Sequence, residues 1–94
     1  MKPETSASST ARLSRIVGQL RGVIRMIEQD RYCIDVVTQL LAVRAALVKV
    51  EELILRDHVA TCVDDAVTSG DQREQRRKID ELMSVLQLYR SKGP

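Results

Sequence analysis

The 94-residue chain has no phenylalanine, no tryptophan and only two tyrosines, Tyr32 and Tyr89. That rules out a core built on aromatic anchors and a nucleic-acid surface that stacks bases on interleaved rings. Buried positions must be filled by Leu, Val, Ile, Ala and Met, an aliphatic palette that favours helix packed on helix. Every apolar run is broken by charge and the first residues are polar, so neither a membrane span nor a signal peptide is expected, and the chain reads as cytoplasmic. With only two cysteines, Cys33 and Cys62, a disulfide framework is not expected. In a reducing compartment they read as thiols, metal ligands or redox sensors. A formal net charge of +2 is too small to announce a polyanionic partner by itself. No nucleophile, base and orienting acid assemble, so the chain is not expected to be an enzyme.

The apolar residues present are arranged with helical periodicity. Residues 1–9, rich in Ser and Thr with Pro3, carry no such pattern and read as a mobile tail ahead of one helical domain over 10–91. From Leu13, the positions Ile16, Val17, Leu20, Val23, Ile24 and Ile27 recur at steps of three and four, marking a helix capped near Ser9 or Thr10. Two stripes follow. Val36, Leu40, Val43, Leu47, Val50 and Ile54 form one, and Val37, Leu41, Val48, Leu55, Val59 and Val63 run beside it. Adjacent stripes imply a long central helix packed on both sides. Gly70 suits its end, and Asp71 with Glu74 resembles a capping box for a third helix, whose buried face is Ile79, Leu82, Met83, Leu86 and Tyr89 before Gly93-Pro94 stops it. The fold class is all-α. The break between the first two helices is poorly marked, since Glu28 to Tyr32 contains neither Gly nor Pro. Asp30 is a candidate cap for the second helix, and one continuous helix over 11–67 stays open on periodicity.

Three residues form a candidate metal site: Cys33, His58 and Cys62. His58 and Cys62 are four apart and stack on one helical face, whereas Cys33 lies 25 residues before His58. In one straight helix that gap spans about 37 Å at roughly 1.5 Å per residue, too far to share an ion. Two copies of the central helix packed antiparallel along the first stripe bring Cys33 of one chain beside positions 58–62 of the other, with the small Ala45 and Ala46 near the two-fold axis. Two thiolates and an imidazole suit Cu(I), or Zn²⁺ with a fourth ligand, and the lack of an evident fourth favours trigonal Cu(I). Against this stands the ordinary role of a cysteine on an apolar helix face, which is packing.

Arg15-Ile16-Val17-Gly18-Gln19-Leu20-Arg21-Gly22, then Arg25-Met26-Ile27-Glu28, Tyr32-Cys33 and His58-Val59-Ala60-Thr61-Cys62 together resemble the copper-sensing branch of the CsoR/RcnR/FrmR family of bacterial transcriptional repressors, over roughly residues 10–90. The resemblance implies a three-helix protomer, an antiparallel dimer with a four-helix core that pairs into a flat tetramer, and release of operator DNA when Cu(I) binds Cys33 of one protomer with His58 and Cys62 of its neighbour. It also implies that Tyr32 and Glu81 hydrogen-bond around His58, and that Arg15, Gln19, Arg21 and Arg44 face the operator. Nickel and cobalt sensors of the family add histidines, formaldehyde sensors lack a cysteine at the position of Cys62, and persulfide sensors lack the histidine. Without the resemblance, Arg12, Arg15, Arg21 and Arg25, unaccompanied by any acid between Ala11 and Ile27, read first as a solvated face. Arg44, Arg73, Arg76, Arg77 and Lys78 are candidates to extend it. Two other functions share this fold: a thiol-based persulfide or redox sensor using Cys33 and Cys62, and a copper or zinc buffer with no DNA role.

Overall fold

A proline opens the first helix. In the structure, a computed structural model that describes residues 1–91 except the side chains of Ala66 and residues 89–91, α1 runs Pro3–Glu28, α2 Cys33–Ser69 and α3 Gln72–Ser91. No strand occurs among the described residues, in keeping with an all-α chain. Residues 1–9 are not the structureless tail expected from their composition, and the helix does not start at Ser9 or Thr10. Pro3 occupies the start of α1, where its fixed φ suits a helix and its missing N–H costs nothing. Glu4 lies in the first turn, where the helix dipole favours an acid. Ser9 is 5% exposed, so this segment belongs to the packed part of the chain.

The turn between α1 and α2 closes without glycine. The Arg31 N–H donates to the Met26 carbonyl at 2.9 Å and the Asp30 N–H to the Ile27 carbonyl at 3.0 Å, while Asp30 adopts φ 55. These are the crossed bonds of a Schellman ending with Asp30 as its left-handed residue, a conformation that Asp tolerates better than most L residues. Asp30 therefore terminates α1 and does not cap α2. The Tyr32 carbonyl accepts from the N–H groups of Asp35 and Val36, which leaves Cys33 as the first residue of α2. The continuous helix over 11–67 is replaced by a hairpin.

The chain divides into two compact units, Met1–Asp57 and His58–Pro94, and α2 contributes to both. In the first, α1 packs antiparallel on α2 through two lines of residues seven apart: Lys2, Ser9, Ile16 and Val23 on α1, and Val36, Val43, Val50 and Asp57 on α2. Ile16, Val43 and Val50 form the buried core with Ala46 and Ile54 beside them. A seven-residue repeat keeps such a seam in register along both helices. The stripe expected to join two chains is thus split. Val43, Val50 and Ile54 turn toward α1, while Leu40 and Leu47 remain exposed with Ile34, Val37, Leu41 and Val48. On α1 only Ile16 and Val23 of the expected face are buried. Each helix meets a single intrachain neighbour here and can bury only one side against it, so a second apolar side stays open.

In the second unit α2 ends at Ser69 and Gly70 supplies a left-handed turn at φ 66. Asp71 Oδ1 accepts the Arg73 N–H at 3.0 Å, capping α3. The reciprocal half of the expected capping box is replaced: the Asp71 N–H donates to Ser69 Oγ, and the Glu74 carboxylate pairs with Arg77 and Lys78. Along α3, Leu82 is half-buried but Ile79, Met83 and Leu86 are exposed, contrary to the expected buried face, because the end of α2 offers too narrow a surface to cover them. The side chain of Tyr89, and Gly93-Pro94, lie outside what is described.

The left-handed strain at Asp30 is relieved by glycine. Asp30→Gly is expected to raise stability by about 0.5 kcal/mol, the αL cost removed less the chain entropy glycine adds, measured as a shift in the urea midpoint at fixed protein concentration.

Candidate metal centre

The last turns of α2 carry the densest cluster of reactive side chains. His58 and Cys62, one turn apart, bring Sγ within 3.3 Å of Nε2 and 3.8 Å of Nδ1. The turn at Gly70 returns the chain so that α3 supplies two charged groups to this pair. Glu81 Oε1 lies 3.4 Å from His58 Nε2, and Lys78 Nζ lies 3.9 Å from Cys62 Sγ. Lys78 also stands 3.9 Å from Glu74 Oε1, a carboxylate it shares with Arg77. Val59, Val63 and Val67 from α2 and Ile79 and Leu82 from α3 complete an open, mainly apolar groove of about 250 Å³ around His58 and Cys62.

The other predicted residues lie elsewhere. Cys33 begins α2 and is exposed, and Tyr32 before it is 69% exposed. Both belong to the first unit, so within one protomer the second unit gathers His58, Cys62 and Glu81 but neither Cys33 nor Tyr32. Among the described residues no three His, Cys, Asp or Glu side chains of the protomer are placed to hold a metal ion. The pair itself fits part of a soft-metal site. With metal–sulfur and metal–nitrogen bonds of about 2.3 and 2.05 Å, a trigonal angle separates the two donors by about 3.8 Å, which is the Sγ to Nδ1 distance found. The nitrogen beside Glu81 is Nε2, which is also the one nearer to Cys62 Sγ.

Arg15, Gln19 and Arg21 are exposed on α1 and Arg44 is exposed on α2, all in the first unit. Arg77 and Lys78, expected to extend a basic face, are engaged on α3 by Glu74 and, for Lys78, by Cys62. Sequence reasoning missed the place of Lys78 in this cluster. It also missed Asp57, a 7% exposed carboxylate directly before His58. Its signal was present: Asp57 is the fourth member of the line Val36, Val43, Val50, the one position of that line that is not valine. No helix among the described residues is long and apolar enough to cross a membrane.

Known proteins carry the same architecture. The chain aligns at 45% identity over 80 residues, 85% of its length and 76% of the relative's, with the copper-sensing transcriptional repressor CsoR of Bacillus subtilis. The crystal structure of the copper-sensing repressor CsoR with Cu(I) from Geobacillus thermodenitrificans superposes with a TM-score of 0.82 at 37% identity, covering 95% of this chain and 90% of that one. The nickel-responsive transcriptional regulator InrS superposes with a TM-score of 0.74 at 37% identity, covering 83% and 88%. Residues 5–88 match the family described as metal-sensitive transcriptional repressor, and the chain belongs to that family.

Proposed function

We propose that this protein is a cytoplasmic Cu(I)-sensing repressor that holds operator DNA in its metal-free form and releases it when Cu(I) binds between subunits. The observation that carries this reading is the half-site on α2: a thiol and an imidazole at the separation of two trigonal ligands, with the third ligand missing from their own unit. Cys33, exposed at the start of α2, is the one other cysteine of the chain. An antiparallel pairing of two α2 helices, through the exposed Leu40, Leu41, Leu47 and Val48, supplies Cys33 from the partner and covers apolar surface the protomer leaves open. Further exposed residues on α1, among them Leu13, Val17 and Ile24, give a second surface for pairing dimers into a tetramer.

The donor set favours copper. Two thiolates and a single imidazole are soft, and His58 is the only histidine, so no further nitrogen is available to build a nickel site of the histidine-rich kind. Bound Cu(I) supplies a bond between chains. Glu81 fixes the ring of His58 by accepting from Nε2, Lys78 faces the Cys62 sulfur with positive charge, and Tyr32 lies next to the incoming Cys33. Arg15, Gln19, Arg21 and Arg44 meet the phosphates and groove of the operator. Drawing together the helix ends that carry the ligands shifts the tetramer toward a state whose basic face no longer fits the duplex. By linkage DNA weakens Cu(I) binding by the same factor that Cu(I) weakens DNA binding.

The metal-free protein is expected to retard a duplex that it has itself selected from a random pool, and Cu(I) should abolish that retardation; no specific shift without metal would defeat the repressor reading. His58→Ala should lower Cu(I) affinity by at least about 100-fold, since even outer partners of a metal ligand are worth 10–100-fold, and should remove the response, measured by competition with a chromophoric Cu(I) chelator. A variant that still responds to Cu(I) would point instead to thiol chemistry at Cys33 and Cys62.

Mixing Cys33→Ala chains with His58→Ala chains should regenerate about one intact site per mixed dimer, because an antiparallel pair has two ends. Absorption from Cu(I)–thiolate bonds reports it, and no regained site would show that the ligands come from one chain. Arg15→Ala or Arg21→Ala should weaken operator binding and reduce the slope of log K against log salt by about 0.9 for each phosphate no longer neutralised, while Cu(I) affinity of the free protein stays unchanged.

A further inference from the structure

Asp57 is the last residue of the first unit and His58, a ligand in the proposed site, is the first of the second. The carboxylate is 7% exposed, Oδ2 accepts the backbone N–H of Lys2 at 2.9 Å across 55 residues of sequence, and Oδ1 is buried with no partner among the described residues. Ser9 Oγ, on the same line of α1 as Lys2, is buried and unpartnered as well. A buried carboxylate with one hydrogen bond is a poor way to stabilise a helix pair, because desolvation offsets most of what the bond contributes. Valine occupies the three preceding positions of the same line, and a fourth would continue the seam. The acid at this position therefore calls for a role other than packing.

We propose that Asp57 is the positioning residue that couples the metal site to α1, the helix that carries Arg15, Gln19 and Arg21. This rests on the functional reading above. The Asp57 backbone is bonded directly to His58, so any change of backbone position at the ligand is felt at Asp57 without an intermediary. Its side chain grips the first turn of α1 by a backbone hydrogen bond, which registers the position of α1 along its axis and not merely its packing on α2. Apolar side chains in the rest of the seam are non-directional and permit sliding by fractions of a turn. Oδ1, buried and without a partner among the described residues, leaves this carboxylate a second hydrogen-bonding arrangement, which a two-state element requires.

The test is Asp57→Val beside Asp57→Asn, which keeps an acceptor oxygen, each measured for thermal stability, Cu(I) affinity by chelator competition, and operator affinity with and without Cu(I). Asp57→Val should be as stable as the parent or more so, should bind operator without metal and Cu(I) without DNA within about threefold of the parent, and should lose at least tenfold of the ratio between the two operator affinities, the quantity that measures coupling. Asp57→Asn should retain most of that ratio. Removing residues 2–4 should reproduce the Asp57→Val loss and add nothing to it in the double variant. A merely structural Asp57 would lower the melting temperature and leave the ratio intact, which overturns the proposal. Loss of metal-free operator binding in Asp57→Val overturns it too. If Cu(I) fails to weaken operator binding by the parent chain, the repressor reading itself falls; if the parent responds and Asp57→Val responds equally, only the role of Asp57 does.

Discussion

The packing of Ile16 on Val43 and Val50 holds the first unit together. It fixes which side of α1 faces inward, and so which side presents Arg15 and Arg21 outward. It also uses up one side of α2 and leaves the other, with Leu40, Leu41 and Leu47, without a partner in its own chain. The seam is small because the aliphatic side chains are modest in size and each helix touches one neighbour. A core this slight leaves the protomer little stability of its own.

Helix class, the end of α2 at Gly70 and the cap at Asp71 were all legible in the sequence, because each depends on local chemistry. The boundary at Asp30 was harder to read. A Schellman ending normally advertises itself with glycine, and here aspartate adopts the left-handed conformation instead. The first residues were misjudged for a related reason. Serine and threonine are indifferent helix formers, and the contacts this segment makes, with Ser9 buried and the Lys2 N–H bonded to a carboxylate 55 residues away, lie outside any local window. Periodicity found the apolar positions of α2 but could not assign the two sides, since a line that packs on α1 and one left exposed look the same in sequence.

At the candidate centre, the pairing of His58 with Cys62 follows from their spacing alone, whereas the approach of Lys78 and Glu81 depends on the length of the turn after Ser69. These two side chains set opposite charges around the pair, positive at the sulfur and negative at the ring nitrogen. The remaining cysteine, Cys33, stands at the beginning of the helix that carries His58 and Cys62.

Tyr32 is 69% exposed and adjoins Cys33, in a chain with no tryptophan. Its phenol is consequently a built-in optical reporter. Ultraviolet emission from this protein comes from two tyrosines alone, one of them beside a cysteine that the protomer leaves exposed. Any event that covers the start of α2 is therefore open to detection in the unlabelled protein through its tyrosine emission.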